Sequence, residues 1–235
     1  VEIDTYLAET AAALTVEHPD YSYLAARIKV NSLHKETPGF IIATKNLYDD
    51  GLLREEYYKK VMENADLIES VIDYDKDYTF DYFALTTLIR AYLLKFDNKT
   101  IERPQDLWMR VTLTVTGSEF NLDKIKETYK SLSTGMYTHA TPTLFNSGLK
   151  MQQLSSCFLI GMEDDSIEGI FNTIKDCALI SKTAGGIGMH AHNIRGSGSR
   201  IKSTNGKSNG LIPFLKIFNE LSLIHISEPT RLAII

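Results

Sequence analysis

Two short segments bring a thiol, a histidine and several hydroxyls close together in this sequence. Gln153-Leu154-Ser155-Ser156-Cys157-Phe158-Leu159 places a thiol behind two hydroxyls, inside an apolar run that reads as a buried strand. Thr138-His139-Ala140-Thr141-Pro142-Thr143-Leu144-Phe145-Asn146 comes just before it. A thiol becomes a nucleophile or redox group only where its surroundings favour that role, and a lone Cys in an apolar strand is more often an inert core residue. Cys177 sits between Ile174 and Ala178 on a helical stripe and reads as core. Two cysteines cannot form a disulfide framework, which suits a reducing compartment. His139, His190 and His192 are scattered. His190 and His192 could share one strand face, but no third ligand accompanies them, so no metal site is read here.

Glycine supplies a second kind of signal. Ala184-Gly185-Gly186-Ile187-Gly188 follows a helical pattern, and Gly185 or Gly186 could form a left-handed cap. Three glycines in so short a stretch exceed what a cap needs, so close packing or an approaching ligand is equally open. Lys182, in the last helical turn, either complements the helix dipole or meets a phosphate. The Gly, Ser, Asn and Lys of residues 196–210 predict a long mobile loop. Two phosphate motifs nearly occur there and fail. Ile201 stands where both a P-loop and a dinucleotide fingerprint require glycine. Phosphate binding by another backbone geometry stays open.

The elements that must position these residues change character along the chain. The first part reads as helices: one through Leu7, Ala11 and Leu14 with Asp4 as cap, and one through Leu24, Ile28 and Leu33 with Asp20 as cap. Others span about 54–72, 80–96 and 122–132. Pro104 suits the first turn of a helix through Leu107, Val111 and Val115, although the β-branched run 111–116 opposes it. After Gly135, short apolar runs (Leu144-Phe145, Cys157–Ile160, Ile187–His190) alternate with glycine-rich turns. One clear helix begins at Asp164-Asp165-Ser166, with Ile167, Ile170, Phe171, Ile174 and Ala178 as its apolar stripe. A short helix from about Leu211 to Phe218 follows. Strand, helix, strand is the pattern of an α/β sheet or barrel.

Composition narrows the function classes. The 235 residues are 43% hydrophobic and 23% charged, as in an ordinary globular protein, and the net charge of -5 leaves no basic footprint for nucleic acid. No apolar run approaches the ~18 residues that span a membrane. Asn98-Lys99-Thr100 matches a glycosylation sequon by chance, since no secretory signal accompanies it.

Six segments in order resemble the large subunit of class I ribonucleotide reductases, in particular the eukaryotic-type branch: Leu24–Arg27, Glu102–Gln105, Pro142–Asn146, Leu154–Leu159, Asp164–Gly169 and Ala184–Gly188. The resemblance runs from Val1 to about Asn219. It implies a mixed α and β fold, a mainly helical N-terminal region followed by the beginning of a ten-stranded α/β barrel. Residues 1–37 would be the C-terminal remnant of an ATP-cone, 38–137 the helical region, and 138–220 the start of the barrel. Cys157 matches one of two reducing thiols, and Thr141 and Ser156 match substrate contacts. Asp165, Ser166, Ile167, Lys182 and Arg195 match contacts to the specificity effector (dTTP, dGTP, dATP or ATP), with Lys202 and Ser203 where close relatives have smaller residues. Asp4 and Lys35 match contacts to ATP or dATP. In such enzymes a thiyl radical abstracts the ribose 3′ hydrogen, and the dithiol reduces the substrate as the 2′-hydroxyl leaves as water.

The resemblance further implies a homodimer, a radical-generating small subunit carrying the metal cofactor, thioredoxin or glutaredoxin as reductant, and a cytoplasmic location. No cofactor is expected in this chain itself. The radical Cys, the second reducing Cys and the C-terminal shuttle pair lie beyond Asn219 in the family, so this chain alone is expected to be inactive. Leu221–Ile235 resembles a translated sequencing-library adaptor and is read as non-native, poorly packed, and broken at Pro229. Two alternatives are a helical scaffold without chemistry and a cobalamin-dependent or glycyl-radical relative.

Overall fold

A computed structural model describes residues 2–183, 185–202 and 204–224 of the chain. They fall into two compact units, Val1–Leu154 and Ser155–Ile235. The seam follows Leu154, although the resemblance put the start of the barrel near Thr138. The reason is local. Gly148 accepts a hydrogen bond from Arg54 N–H at 3.0 Å, Lys150 N–H donates to Leu52 at 3.0 Å, and Leu53 bridges Leu149. Residues 141–154 are thereby stitched to the helices.

The first unit opens with α1 (Glu2–Ala13) and α2 (Asp20–Glu36), packed through small residues. Ala8, Ala11, Ala25, Ala26 and Val30 are buried, whereas Leu7 and Leu24 are about half exposed. Of the expected faces Ala11 and Leu33 are buried and Leu7 and Leu24 are not, because alanines let the two backbones approach where leucines could not. Asp4 lies inside the first turn of α1 instead of capping it, and α2 is preceded by Pro19 without a side-chain cap. Next come α3 (Phe40–Asp49), α4 (Glu55–Glu63) and α5 (Ala65–Glu69). The single helix expected over 54–72 is broken at Asn64, whose side-chain amide donates to the Lys60 carbonyl at 2.9 Å and competes with the helix.

A 3₁₀ segment, Tyr74–Thr79, and α6 (Tyr82–Thr87), capped by Asp81, follow. The chain then widens into a π turn, Leu88–Tyr92, and ends in the hairpin β1 (Lys95–Phe96) and β2 (Lys99–Thr100). The helix expected to reach Phe96 ends at Tyr92, because Leu93 is extended and Lys95–Phe96 pair into a hairpin that turns at Asp97 and Asn98, both with positive φ. Helix α7 (Pro104–Val115) forms despite its β-branched run because burial on nearly every side overrides propensity. Helix α8 (Leu122–Ser133) lies where periodicity placed it. Leu144 and Phe145 belong to α9 (Thr141–Asn146), not to a strand.

Buried polar groups fix α7. Arg110 and Glu102 are each about 2% exposed. Arg110 donates through Nε to Glu102 Oε1 at 2.6 Å, through Nη2 to Oε2 at 3.1 Å, and through Nη1 to the Ser147 carbonyl at 2.8 Å. At the start of the helix, Asp106 accepts from Tyr74 Oη at 2.7 Å and from Arg103 N–H at 2.9 Å. Arg103 also reaches the end of α2, donating to the Thr37 hydroxyl at 2.9 Å and the Thr37 carbonyl at 2.8 Å. Asp77 pairs with His34 at 2.7 Å. Burial pushes the Asp106 carboxyl up to about 8, and burial raises Asp77 as well.

The second unit is a βαβ crossover. Strand β3 (Cys157–Gly161) pairs in parallel with β4 (Gly186–His190), from Cys157 opposite Gly186 to Gly161 opposite His190. Helix α10 (Ile167–Lys182) connects them. Its cap is Ser166, which accepts from Gly169 N–H at 3.0 Å. Ile170, Thr173 and Cys177 are buried, while Ile167 and Phe171 of the expected stripe are exposed. Neither Gly185 nor Gly186 has positive φ, so neither is a left-handed cap. They are there for close packing: a Cβ at Gly185 would lie 2.6 Å from Ile180 and 3.0 Å from the Phe158 ring.

Residues 196–210 fold back on themselves instead of forming an open loop. Arg200 bridges Lys207, Ser208 N–H donates to the Ser199 carbonyl at 2.8 Å, and Gly198 N–H donates to the Ser208 carbonyl at 2.8 Å. Helix α11 (Ile212–Ile224) continues past Phe218 into the segment read as non-native. Leu221 lines a cavity of about 180 Å³ with Cys177, Met189 and Phe218, so packing reaches at least that residue. Ala184, Ser203 and residues from 225 onward, including Pro229, lie outside the described residues.

Two predictions follow from the polar core of the first unit. Trp108, the single tryptophan, sits on α7 and reports its unfolding. Glu102→Ala strands a buried guanidinium and should lower the urea-unfolding free energy read by Trp108 fluorescence by about 3–5 kcal/mol; unchanged stability would show that the pair is not buried as described. Because the folded carboxyl of Asp106 lies above its ordinary value of 3.8, its stabilising contribution is complete below that value and is lost as pH rises toward about 8. Wild-type stability should therefore fall relative to Asp106→Asn between about pH 4 and pH 8, and parallel stability curves would contradict this.

Candidate functional site

Cys157 is the first residue of β3, and the strand is not buried as its apolar run suggested. Exposure alternates along it, with Cys157, Leu159 and Gly161 outward and Phe158 and Ile160 partly covered. Among the described residues β4 is the only strand paired with β3, and α10 covers the other face through Phe158 and Ile180, which meet across Gly185. Ser156, also exposed, accepts from Gly186 N–H through its carbonyl at 2.7 Å. A Cβ at Gly186 would lie 3.2 Å from that carbonyl and 3.8 Å from the Cys157 sulfur, so the glycine keeps space beside the thiol. Cys177 is the opposite case. It is 4% exposed inside α10, and burial, then the nearby Asp176, pushes its thiol up and away from the reactive thiolate.

Thr141 begins α9 in the first unit, and its hydroxyl lies 3.3 Å from Tyr92 Oη. The segment it leads is held at several points. Thr143 Oγ1 donates to the Leu154 carbonyl at 3.2 Å, Asn146 Nδ2 donates to the Gln153 carbonyl at 2.7 Å, and Arg110 holds the Ser147 carbonyl. The chain leading from Thr141 to Leu154 is thus rigidly supported by α7.

Four of the residues matched to an effector site lie together. Asp165, Ser166 and Ile167 form the start of α10, and Arg195 closes on them, donating through Nε to Asp165 Oδ2 at 2.5 Å and through Nη2 to the Asp165 carbonyl at 2.9 Å. The Asp165 carboxylate is thereby satisfied by Arg195. Gly169 must be glycine, because a Cβ there would lie 2.6 Å from Asp164 Oδ1. Lys182 is at the other end of α10, about 22 Å away along a helix of this length, and within one chain the structure does not bring it to Asp165. Lys202 is exposed at the tip of the folded loop, and Ser203 lies outside the described residues.

Asp4 and Lys35, far apart in sequence, do meet. Lys35 Nζ donates to Asp4 Oδ2 at 3.0 Å, and that hydrogen bond, more than any other influence, holds the Asp4 carboxyl below its usual range. The histidine pair is also close, with His190 Nδ1 and His192 Nδ1 2.8 Å apart. Among the described residues no group of three or more His, Cys, Asp or Glu could hold a metal ion.

The sequence reading missed Tyr92. Nothing in its local pattern marks it, because the π turn that aims it at Thr141 appears only once the chain is folded. The role of Gly186 was half visible: the excess of glycine was read, but not which backbone it lets approach.

Comparison with known proteins bears on both units. The family model for the ribonucleotide reductase all-alpha domain matches residues 78–152, and that for the ribonucleotide reductase barrel domain matches residues 155–232, extending past Asn219. The ribonucleoside-diphosphate reductase large chain 2 of Saccharomyces cerevisiae is 49% identical over 229 residues, covering 93% of this chain and 26% of the yeast protein. The large subunits of Dictyostelium discoideum and Variola virus are each 48% identical, again over 93% of this chain, and cover 26% and 29% of those proteins. The chain thus spans about a quarter of the length of the curated relatives it matches. With both of its units matched in order by that family's domains, the chain belongs to the ribonucleotide reductase large-subunit family.

Proposed function

We propose that this chain contributes the helical region and the start of the barrel to a ribonucleoside-diphosphate reductase, and that Cys157 is one of the two thiols that reduce the substrate. The observation that carries this reading is the contrast between the two cysteines: Cys157 is exposed beside Ser156 at a strand start, whereas Cys177 is buried. In the reductive step two thiols give up two electrons and two protons and close to a disulfide. The ribose carbon exchanges its hydroxyl for hydrogen, and water leaves. The second thiol comes from outside this stretch of the family sequence. By the same resemblance Thr141 in the first unit and Ser156 in the second are each a contact to the nucleoside diphosphate. Thioredoxin or glutaredoxin re-reduces the pair, and a small partner subunit with a metal cofactor supplies the radical.

Asp165, Ser166, Ile167 and Arg195 form the specificity-effector site for dTTP, dGTP, dATP or ATP, with Lys202 and Ser203 on the neighbouring loop. Arg195 and Lys182 suit its phosphates. The exposed Ile167, Phe171 and Leu179 on α10 support homodimer formation through that helix. An antiparallel pairing of two such faces would bring Lys182 of one copy to the Asp165 end of the other. Asp4 and Lys35 form part of an ATP or dATP site, where nucleotide binding competes with their mutual ion pair. Among the described residues no helix is long and apolar enough to cross a membrane. A cytoplasmic location fits the reducing chemistry.

Two experiments test the role of Cys157. With a thiol reagent at neutral pH, the folded chain should show one fast thiol, removed by Cys157→Ser, and one that reacts only on unfolding. Two equally fast thiols would remove the distinction on which the reading rests. In a large chain of full family length carrying this segment, Cys157→Ser should abolish thioredoxin-dependent reduction of nucleoside diphosphates. Turnover within about tenfold of wild type would leave Cys157 a structural residue.

A further inference from the structure

We infer that Tyr92 is a positioning residue for the substrate, acting through the hydroxyl of Thr141. This rests on the proposed role of Thr141 as a substrate contact and extends it to a residue on another element. Three features of the first unit converge on it. Tyr92 is the last residue of the π turn Leu88–Tyr92, closed by a hydrogen bond from Leu93 N–H to the Leu88 carbonyl at 3.0 Å. A π turn inside a helical segment displaces the side chains after it and is common beside functional sites. The Tyr92 ring packs against Phe145 of α9, with centroids 4.9 Å apart, which fixes the direction of its hydroxyl. That hydroxyl ends 3.3 Å from Thr141 Oγ1.

The chemistry gives the contact a direction. Both groups can donate or accept, and the phenol is the stronger donor. With Tyr92 donating to Thr141 Oγ1, the threonine proton is free to point outward, so Thr141 is presented as a donor to an oxygen of the bound nucleotide. The contact is long for two hydroxyls, as such contacts often are before substrate binds, and it shortens in the complex. Phe145 has a second use in this arrangement. Its ring lets the tyrosine lose its hydroxyl without losing its place, so the hydroxyl can be tested separately from the packing.

The test uses a full-length large chain carrying this segment, with its radical-generating partner. Tyr92→Phe should raise KM for nucleoside diphosphate about three- to tenfold, the loss of one hydrogen bond, with a smaller effect on kcat. The thermal midpoint should not move. Thr141→Ala should raise KM by a similar factor, and the double variant should be no worse than Thr141→Ala alone, because the tyrosine acts through that hydroxyl. Thr141→Ser keeps the hydroxyl and should stay sensitive to Tyr92→Phe. If Thr141→Ala raises KM while Tyr92→Phe does not, or if the two effects add, the inference about Tyr92 is overturned and the role of Thr141 stands. If Thr141→Ala leaves KM unchanged, the substrate reading of Thr141 fails and the inference falls with it.

Discussion

The ion pair between Glu102 and Arg110 governs the first unit. Each is nearly sealed from water, and a buried charge is tolerated only when geometry and hydrogen bonding satisfy it. Here the fork of Arg110 meets both oxygens of Glu102, and its remaining arm takes the Ser147 carbonyl. Glu102 also accepts from Leu94 N–H at 3.0 Å, just after the π turn. One buried pair therefore fixes the position of the hairpin, of α7 and of the segment after α9. Tyr92 and Thr141 lie on the two pieces of chain it ties together.

The second unit is limited by space more than by charge. Gly169, Gly185, Gly186 and Gly188 each stand where a Cβ would collide or crowd: against Asp164, against Ile180 and Phe158, against the Ser156 carbonyl, and at 2.9 Å from Leu159. These approaches let the helix start, the crossover and the parallel pair sit close enough to place Cys157, Ser156 and the Asp165–Arg195 pair on a short stretch of rigid backbone. A side chain at any of these positions would force that backbone apart.

Much of this was legible in the sequence, and the exceptions have physical causes. Helix α8, the βαβ unit and the core position of Cys177 followed from periodicity alone. The faces of α1 and α2 were read in part: Ala11 and Leu33 are buried as expected, but Leu7 and Leu24 are not, because alanines form much of the contact. The helix over 80–96 stops at Tyr92, where Leu93 turns extended and the chain enters the hairpin that turns at Asp97-Asn98. The roles proposed for Thr141, Ser156, Cys157 and Arg195 rest on family resemblance, since neither spacing nor composition distinguishes these residues. The pairing of Lys35 with Asp4 and of Arg195 with Asp165 depends on tertiary folding, which periodicity does not encode.

The claim on which the account turns is that Cys157 gives electrons to the nucleotide. A single turnover of a full-length large chain carrying this segment, run without external reductant and followed by peptide mapping, tests it directly. The account predicts that Cys157 is recovered in a disulfide with a cysteine outside this stretch, in proportion to the deoxynucleotide formed, while Cys177 stays a free thiol. Deoxynucleotide formed with Cys157 still fully reduced would contradict it.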